Sequence, residues 1–349
     1  MKRSLSRREF IHLAAVSAAG AILAGCTPEG TQPAEPAALP EASATQPPTE
    51  AGNAPSAPSE SSAGATEVPT TRPVPTQPKA DEAYLSVVHG SDPAAITKAA
   101  LDALGGMKRF VKSGADVIIK PNICTDYHPP EYAITTNPTV IATLVTLALG
   151  AGAKRVRVMD YPFGGTPDSA YAISGIADAV EAAGGEMHVM SLPKYKTYQI
   201  EGAKSMRSAE VYPDIMEADV LINVPIAKHH GSSRLTLAAK NLMGVVLDRN
   251  IMHMGLHKRI ADLASLVRPT LTLIDGVRIL MNNGPTGGNL NDVKQLDTVI
   301  ASHDLVCVDA YATGWFDITP SDVPYIGACA DLGLGTLDWQ SVKLEEISL

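Results

Sequence analysis

Two neighbouring stretches of this sequence bring together lysine and histidine side chains, which can bind anions or transfer protons. Lys228, His229 and His230 follow the apolar run at 220–224, and Lys240 interrupts a second apolar pattern shortly afterwards. A lysine within such a pattern either reaches the surface or points into a pocket. Imidazole can act as an acid, a base or a metal ligand near neutral pH. Lys240, His229 and His230 are therefore the candidate catalytic residues; the alternative for the histidines is a solvated loop.

Further polar residues follow other apolar runs, where a parallel sheet would bind a ligand. Lys120 and Asn122 come after the run at 117–119, and Asn241 lies in the second apolar pattern. In open parallel sheets, ligands bind beyond the carboxyl ends of the strands. We predict that Lys120, Asn122, Lys228 and Asn241 contact a ligand there. The alternative is that loops simply begin with polar residues.

Two more groups could bring backbone N–H groups close to an anion. Thr136 and Asn137 precede Pro138, where a helix is predicted to begin, and the first N–H groups of a helix attract negative charge. Asn283 and Gly284 belong to a glycine-rich loop, whose backbone could approach a ligand closely. We predict ligand contacts for these four residues as well. An ordinary helix cap and a plain turn are the alternatives.

A divalent metal is one alternative for the cofactor, whose identity the sequence leaves open. Asp160 and Asp275 each follow a predicted strand, so their carboxylates could hold a cation or orient the lysine and histidine bases. His253 and His257 have a spacing that can hold zinc on a helix. Gly255 lies between these histidines and weakens a helix, so we disfavour that pair.

The cysteines disfavour an iron–sulfur cluster. The chain has 4 cysteines and no Cys-x-x-Cys pair. A cluster with four thiolate ligands requires closer spacing and one more cysteine than Cys124, Cys307 and Cys329 supply. The favoured interpretation is that these three residues are small buried apolar side chains.

Strands and helices alternate along the part of the chain that would position these residues. Apolar, β-branched runs predict strands at 85–88, 117–119, 156–159, 187–190, 220–224, 271–274, 298–301 and 342–347. Helices are predicted at 93–110, 138–149, 169–183, 235–247, 258–267, 306–316 and 324–332. This alternation predicts an α/β fold with a mainly parallel sheet and helices on both faces. Residues 81–349 would form this domain, either as one body or as two fused lobes with a boundary near 191–215.

The first residues carry the features of an export signal and a lipid anchor. Arg7 and Arg8 form a twin-arginine pattern, and an apolar run at 13–23 leads to Leu-Ala-Gly followed by Cys26. The run is too short for a permanent membrane span. We predict that residues 1–26 are a twin-arginine signal peptide and that Cys26 is lipidated. The twin-arginine export machinery would carry the folded chain to the outer face of the cytoplasmic membrane or to another envelope membrane.

Residues 27–80 have the composition of a disordered stalk. They are rich in Pro, Ala, Ser and Thr and contain no aromatic residue, so they cannot bury enough apolar surface to fold. The whole chain has 349 residues and a formal net charge of −9. An acidic protein is a poor partner for nucleic acid, so we predict a small-molecule ligand instead.

Six motifs in this order resemble those of domain-of-unknown-function family 362. They are Ile118-Ile119-Lys120-Pro121-Asn122, Thr135-Thr136-Asn137-Pro138, Ile222-Asn223-Val224-Pro225, Lys240-Asn241-Leu242-Met243-Gly244, Asp275-Gly276 with Asn283-Gly284-Pro285, and Val323-Pro324-Tyr325-Ile326. The resemblance covers about 84–336. Many relatives carry a ferredoxin-like module and are described as iron–sulfur proteins, whereas this chain lacks the Cys-x-x-Cys run. The Tyr at position 161 also departs from the Asp-Ser-Pro that the resemblance implies after the strand.

Three functions remain open at this point. The first is an enzyme that acts on a small anionic or carbonyl substrate at the strand ends. Lys120 and the helix start at Asn137 would hold the anion, and Lys240 with His229 or His230 would supply charge or proton transfer. The second is a lipoprotein that binds a solute or cofactor in the same pocket without turnover. The third is a metal-dependent redox partner, which the cysteine count disfavours.

Overall fold

The computed structural model describes residues 82–349. The predicted signal peptide with Cys26 and the predicted stalk lie outside these residues, so both stay predictions. Within the described part, no helix is both long enough and apolar enough to cross a membrane.

Residues 82–349 form twelve strands and eleven α-helices. The strands are β1 (Leu85–His89), β2 (Asp116–Pro121), β3 (Arg155–Val158), β4 (Glu186–Met187), β5 (Lys196–Gln199), β6 (Ser208–Val211), β7 (Val220–Val224), β8 (Ile226–His230), β9 (Arg234–Thr236), β10 (Leu271–Leu280), β11 (Val293–Ser302) and β12 (Leu344–Ser348). The helices are α1 (Pro93–Ala103), α2 (Met107–Phe110), α3 (Pro138–Gly150), α4 (Pro167–Ile173), α5 (Ile176–Ala182), α6 (Pro213–Glu217), α7 (Ala238–Asn241), α8 (Asn250–His253), α9 (Leu256–Val267), α10 (Leu305–Ala312) and α11 (Pro324–Asp331).

Ten of these strands form one mixed sheet in which most neighbours are parallel. Its continuous order is β12-β1-β11-β10-β7-β2-β3-β4, and β8 pairs with both β10 and β9. Strands β10, β7, β2, β3 and β4 run parallel to their neighbours in that part of the sheet. Strand β11 is antiparallel to both β1 and β10. The predicted α/β fold with a mainly parallel sheet is therefore confirmed.

Helices cover both faces of the sheet because the side chains of each strand alternate between two apolar cores. In β2, Val117 and Ile119 pack into the core that contains α1, α3 and α5. Ile118 points the other way and packs into the core that contains α9, α10 and α11. A strand that is buried on both faces needs apolar residues at consecutive positions, which explains the uninterrupted runs in the sequence.

The predicted helix at 235–247 is wrong, and the difference changes how Lys240 is positioned. Residue 235 belongs to β9, and the helical part shrinks to the four residues of α7, followed by a 3-10 turn at Leu242–Val245. The Asp309 carboxylate in α10 fixes where α7 begins, since it accepts the N–H groups of Ala238 and Ala239. This cap comes from a distant part of the chain, so no local pattern encodes it.

Residues 226–230 also differ from their prediction, since they form strand β8 and not a loop. Strand β8 lies beside β10 and pairs antiparallel with β9. The strand was not predicted because its consecutive Lys and His residues form a polar run, which is atypical of a buried strand. Pairing with β10 and β9 overrides that preference.

Glycines divide two other predicted helices. Gly105 and Gly106 have φ angles of 94° and 79° and separate α1 from α2. Gly175 has a φ angle of 69° and separates α4 from α5. This left-handed conformation suits glycine and ends a right-handed helix. The segment near 191–215 contains the antiparallel hairpin of β5 and β6, and the lobe boundary there stays a prediction.

Candidate functional site

A cavity of about 440 Å³ lies beyond the carboxyl ends of β2 and β3, beside β8 and α7. Its charged lining residues are Lys120, Asp160, Lys228, Lys240 and Arg249. The other polar or sulfur-containing lining residues are Asn122, Cys124, Tyr161, His230, Thr236, Asn241, Met243, Asn250 and His253. Seven predicted site residues thus meet in one cavity, namely Lys120, Asn122, Asp160, Lys228, His230, Lys240 and Asn241.

Lys120 is fully buried and is neutralised by Asp160. The Lys120 Nζ lies 2.8 Å from the Asp160 Oδ1. It also donates to the Pro121 carbonyl oxygen at 2.8 Å and to the Asn241 Oδ1 at 3.2 Å. Burial lowers the pKa of Lys120, and the Asp160 carboxylate opposes that effect. An ammonium group has three donors, and all three of Lys120 are used inside the protein.

The Asn241 amide ties this ion pair to two neighbouring strands. Its oxygen accepts from the Lys120 Nζ and from the Asn122 Nδ2, the latter at 2.9 Å. Its nitrogen donates to the Asn223 Oδ1 at 2.9 Å and to the Pro121 carbonyl oxygen at 3.3 Å. These partners lie in or just after β2 and β7, so the amide holds Asn241 in place against these two strands.

Lys228 is buried among hydrogen-bond acceptors that include no carboxylate. Its Nζ donates to the Ile134 carbonyl oxygen at 2.7 Å, to the Asn122 Oδ1 at 2.9 Å and to the Cys124 Sγ at 3.3 Å. No acidic side chain in residues 82–349 forms an ion pair with it. The three donors of this ammonium group are therefore used, while its positive charge is not balanced.

Lys240 is the buried lysine whose ammonium group is unpartnered. Its side chain is only 8% exposed and lines the cavity, and nothing within the described chain accepts a hydrogen bond from it or forms an ion pair with it. Burial lowers the pKa of Lys240 to about 7, and the positive charges of Lys228, Arg249 and Lys120 add to that effect. At neutral pH this amine therefore carries a proton for only part of the time.

Arg249 completes the cationic side of the cavity. Its guanidinium group donates to the carbonyl oxygens of Tyr161 and Met243 and lies over the Tyr161 ring, 5.6 Å from the ring centroid. Gly244 lets the backbone pass close to the ion pair of Lys120 and Asp160, because a Cβ at this position would overlap the Asp160 carboxylate and the Lys120 Nζ. The cavity therefore has four cationic side chains and one carboxylate, and that carboxylate is engaged by Lys120.

The lining residue His230 is suited to a neutral state. Burial lowers the pKa of His230 to about 3, and the positive charges of Lys240 and Lys228 contribute. Its Nδ1 accepts the Ser232 N–H at 3.2 Å. A neutral His230 can accept or donate one hydrogen bond toward the cavity without adding charge.

His229, Asn283 and Gly284 lie outside the lining of this cavity. Side chains alternate along β8, so His229 points away from Lys228 and His230. Its Nδ1 accepts the Gly284 N–H at 3.2 Å, and Asn283 donates to the Asp292 carboxylate at 2.7 Å. These residues hold the glycine-rich loop against β8, and Pro285 of that loop reaches the lining.

Thr136, Asn137 and Asp275 also support the cavity from outside its lining. The Thr136 hydroxyl accepts the Asn122 N–H at 2.8 Å and donates to the Val224 carbonyl oxygen at 2.7 Å. The Asp275 carboxylate accepts the Asn137 N–H at 2.7 Å. We predicted that this helix start binds an external anion, but the Asp275 carboxylate of the protein already accepts its first N–H group. Burial raises the pKa of Asp275 to about 6.

The metal hypothesis finds little support in the arrangement of these carboxylates. Asp160 lines the cavity and pairs with Lys120, whereas both oxygens of Asp275 accept backbone N–H groups elsewhere. Within residues 82–349, no group of three or more His, Cys, Asp and Glu side chains could hold a metal ion. His253 lines the cavity, and His257 is absent from its lining.

Sequence reasoning missed several residues of the lining, above all Arg249, Cys124 and Tyr161. Arg249 lies in an irregular segment without a motif, so no local signal identified it. Cys124, Cys307 and Cys329 are all buried and free, as expected, but Cys124 also contacts Lys228 in the cavity wall. Its position two residues after Asn122 is the signal that could have identified it.

Comparison with known proteins gives a family for most of the folded part. A family model described as "Domain of unknown function (DUF362)" matches residues 117–314, which include every charged residue of the cavity. The thylakoid-associated protein sll1697 of Synechocystis sp. is 28% identical over 249 residues, covering 67% of this chain and 73% of that protein.

A comparison with solved structures finds a distant likeness. The lactate racemase apoprotein from Thermoanaerobacterium thermosaccharolyticum superposes with a TM-score of 0.39 and 14% sequence identity. The match covers 74% of this chain and 59% of that one, so this chain spans less than two thirds of the racemase.

Proposed function

The chain belongs to the DUF362 family, as its motifs predicted, and we propose that it binds a small organic anion in the cavity beyond β2 and β3. One observation carries this proposal. Lys240 is buried in the cavity lining, close enough to Lys228 and Arg249 for their charges to lower its pKa, and no described residue is its partner.

The energetics of buried charge explain why an unbalanced cavity points to an anion. Removing an ammonium group from water is unfavourable by several kcal/mol unless an opposite charge and hydrogen bonds replace the water. Asp160 supplies both for Lys120. Lys228 and Lys240 have no internal carboxylate, so a bound anion would stabilise the folded chain and use the donors of Lys240.

The size and lining of the cavity favour an organic anion over a bare inorganic ion. A volume of about 440 Å³ falls within the range of small-molecule pockets. Phe163 and Met243 contribute apolar surface beside the cationic groups. A ligand with a carboxylate or phosphate group and a short carbon skeleton would match both parts of the lining.

A thermal-shift series on the full chain tests this proposal. Acetate, propanoate, succinate and phosphate would be compared at constant ionic strength, with acetamide, propanamide and succinamide as neutral counterparts. We expect at least one anion to raise the Tm and its amide to leave the Tm unchanged. Lys240→Met should remove the shift, while Lys112→Met, the same substitution at an exposed loop position, should retain it. Equal shifts in both variants, or none with any anion, would contradict the proposal.

We also propose that residues 1–26 export the chain and that Cys26 anchors it to a membrane. The twin arginines and the cysteine after Leu-Ala-Gly support this proposal. Cys26→Ala should move the exported chain from the membrane fraction to the soluble fraction. Replacing Arg7 and Arg8 together by Lys should leave it in the cytoplasm. An unchanged distribution in both variants would contradict the proposal.

A further inference from the structure

We propose that Lys240 forms a reversible imine with the carbonyl carbon of an anionic carbonyl compound, such as a 2-oxo acid, inside the cavity. The inference rests on the proposed function, because the anionic group of the same molecule would bind to the cationic lining. It adds a covalent step and a substrate class to that function.

The hydrogen bonds of the three buried lysines determine which amine can react. Lys120 uses its three donors on Asp160, Pro121 and Asn241, and Lys228 likewise has three internal acceptors. An amine that gives three hydrogen bonds has no lone pair for a carbonyl carbon. Lys240 has no such partner in the described chain and faces the cavity, so its nitrogen is available.

The charges around Lys240 favour the neutral, nucleophilic form of its amine. Burial and the nearby positive charges of Lys228, Arg249 and Lys120 lower its pKa to about 7. Desolvation and adjacent cationic groups are the two means by which proteins activate lysines that form imines. An exposed lysine such as Lys112 is not buried in this way.

The covalent step needs no oxidant and no second substrate. The Lys240 lone pair forms a bond to the carbonyl carbon, and the electron pair of the C=O π bond moves to oxygen. The nitrogen loses its two protons to this oxygen, which leaves as water while the C=N bond forms. Uptake of one proton from solvent gives the cationic iminium form, and addition of water reverses the sequence.

The same lining explains why the carbonyl compound should be anionic. A carboxylate or phosphate would face Lys228 and Arg249, which no internal carboxylate neutralises in the described chain. A neutral aldehyde or ketone would leave those charges unbalanced and would bind weakly. Binding of the anion therefore brings the carbonyl group to Lys240, and proximity favours imine formation over reaction at surface lysines.

Reductive trapping on the full chain tests this proposal. The protein would be incubated with glyoxylate, pyruvate or 2-oxoglutarate and treated with sodium borohydride, which converts an imine into a stable secondary amine. Intact mass and peptide mapping would follow. We expect one adduct per chain with at least one of these acids, located at Lys240. Propanoate, which is pyruvate without the oxo group, should protect Lys240 in the wild-type chain.

A matched pair of variants locates the covalent step. Lys240→Arg keeps a positive charge but cannot form the imine, so it should lose the adduct. Lys112→Arg, the same substitution at an exposed position, should keep both the adduct and the thermal shift with the best anion. Labelling spread evenly over surface lysines, or labelling that persists in Lys240→Arg, would overturn the inference.

Failure of the inference and failure of the proposed function give different results. If an anion raises the Tm and no 2-oxo acid is trapped, the imine is wrong and anion binding stands. If neither occurs, both are wrong. Protection by propanoate is measured on the wild-type chain, so the test does not depend on the folding of any variant.

Discussion

Both ends of strands β2 and β3 carry charged side chains, but the two ends differ in whether every cation has a carboxylate partner. At the amino ends, Asp116 pairs with Arg155 and with Arg157, and Arg157 also pairs with Asp214. The Asp219 carboxylate accepts the Asp116 N–H at 2.8 Å. Each arginine there has a carboxylate partner, so this cluster is complete without any ligand.

At the carboxyl ends, the cations exceed the carboxylates. Asp160 neutralises Lys120, while the acceptors of Lys228 include no carboxylate and Lys240 has no described partner. Asp116 and Arg157 at the amino ends are buried, as Lys120 and Lys240 are at the carboxyl ends, so the contrast does not come from exposure. A complete ion-pair cluster fixes strands to one another, whereas an incomplete one leaves a positive charge that the proposed anion would balance.

The pKa directions reflect the same contrast. Burial alone would raise the pKa of Asp116, yet its bonds from Arg155 and Arg157 lower it overall. Burial lowers the pKa of Lys240 to about 7, and the neighbouring charges reinforce burial because they have the same sign. Neighbours at the amino ends therefore stabilise the charged form, and neighbours of Lys240 destabilise it.

Removing Asp160 should have the largest effect on stability. Asp160→Ala leaves the Lys120 ammonium group without a counter-ion and leaves the Ile123 and Tyr161 N–H groups without acceptors. We expect the free energy of unfolding to fall by about 3–5 kcal/mol, the range for breaking a buried pair. Urea denaturation at pH 7, followed by circular dichroism, measures this. Adding Lys120→Met to Asp160→Ala should restore part of the lost stability. A loss below about 1 kcal/mol in Asp160→Ala alone would show that the pair contributes no more than a surface ion pair.

Breaking the amino-end cluster should reduce stability and leave ligand binding unchanged. Arg157→Met leaves the carboxylates of Asp116 and Asp214 without their shared partner. We expect a loss of about 2–3 kcal/mol, less than for Asp160 because Asp214 retains some contact with water. The same urea experiment measures the loss, and the thermal shift with the best anion should match that of wild type. A weaker shift would mean that the two ends are coupled.

Removing Lys240 should change stability in the opposite direction. Lys240→Met removes a buried cation without a partner, so we expect the free energy of unfolding at pH 7 to rise by about 1–2 kcal/mol without ligand. The same variant should lose the thermal shift with anions. Loss of stability together with loss of binding would indicate a structural role for Lys240.

The pH dependence of stability gives a second test of Lys240. Its pKa is about 7 in the folded chain and 10.5 in the unfolded chain. Between these values the unfolded chain binds more protons, so stability rises with pH, by at most about 1.4 kcal/mol per pH unit from this group. Below pH 7 both states are protonated and the slope from Lys240 disappears. Urea denaturation at pH 7, 8 and 9 should show a smaller slope in Lys240→Met; equal slopes would contradict the lowered pKa.

The exposed member of the amino-end cluster should have the smallest effect. The Arg155 side chain is 43% exposed, and surface ion pairs contribute little because water screens them. We expect Arg155→Ala to lower the free energy of unfolding by less than about 1 kcal/mol. A loss as large as that of Arg157→Met would show that solvent exposure does not determine how much each ion pair of this cluster contributes to stability. Urea denaturation of the two variants side by side decides between these outcomes.

The strand-end rule made part of the cavity predictable from the sequence. Lys120 and Asn122 follow a recognisable buried strand, and the carboxyl ends of parallel strands meet at one edge of the sheet. Lys240 was identifiable because a charged residue within an apolar pattern is unusual. These features lie within short stretches of sequence, so they can be recognised without knowledge of the fold.

The remaining features depend on contacts between distant parts of the chain. Asp275 caps the helix start at Asn137, which removes a site that the local pattern indicates. Asp309 limits α7 to four residues, where the apolar pattern predicts a long helix. Arg249 reaches the cavity from a segment that has no pattern of its own. Tertiary partners of this kind override local preference, and a single sequence does not reveal them.

If the cation excess at the carboxyl ends of β2 and β3 is an anion site, bromide anomalous diffraction should show it most directly. Crystals of the chain would be soaked in bromide, and the anomalous signal would locate the bound anions. We predict a bromide ion in the cavity next to Lys240 and Lys228, and none at the amino-end cluster around Arg157. Bromide bound elsewhere on the protein with none in this cavity would contradict the account.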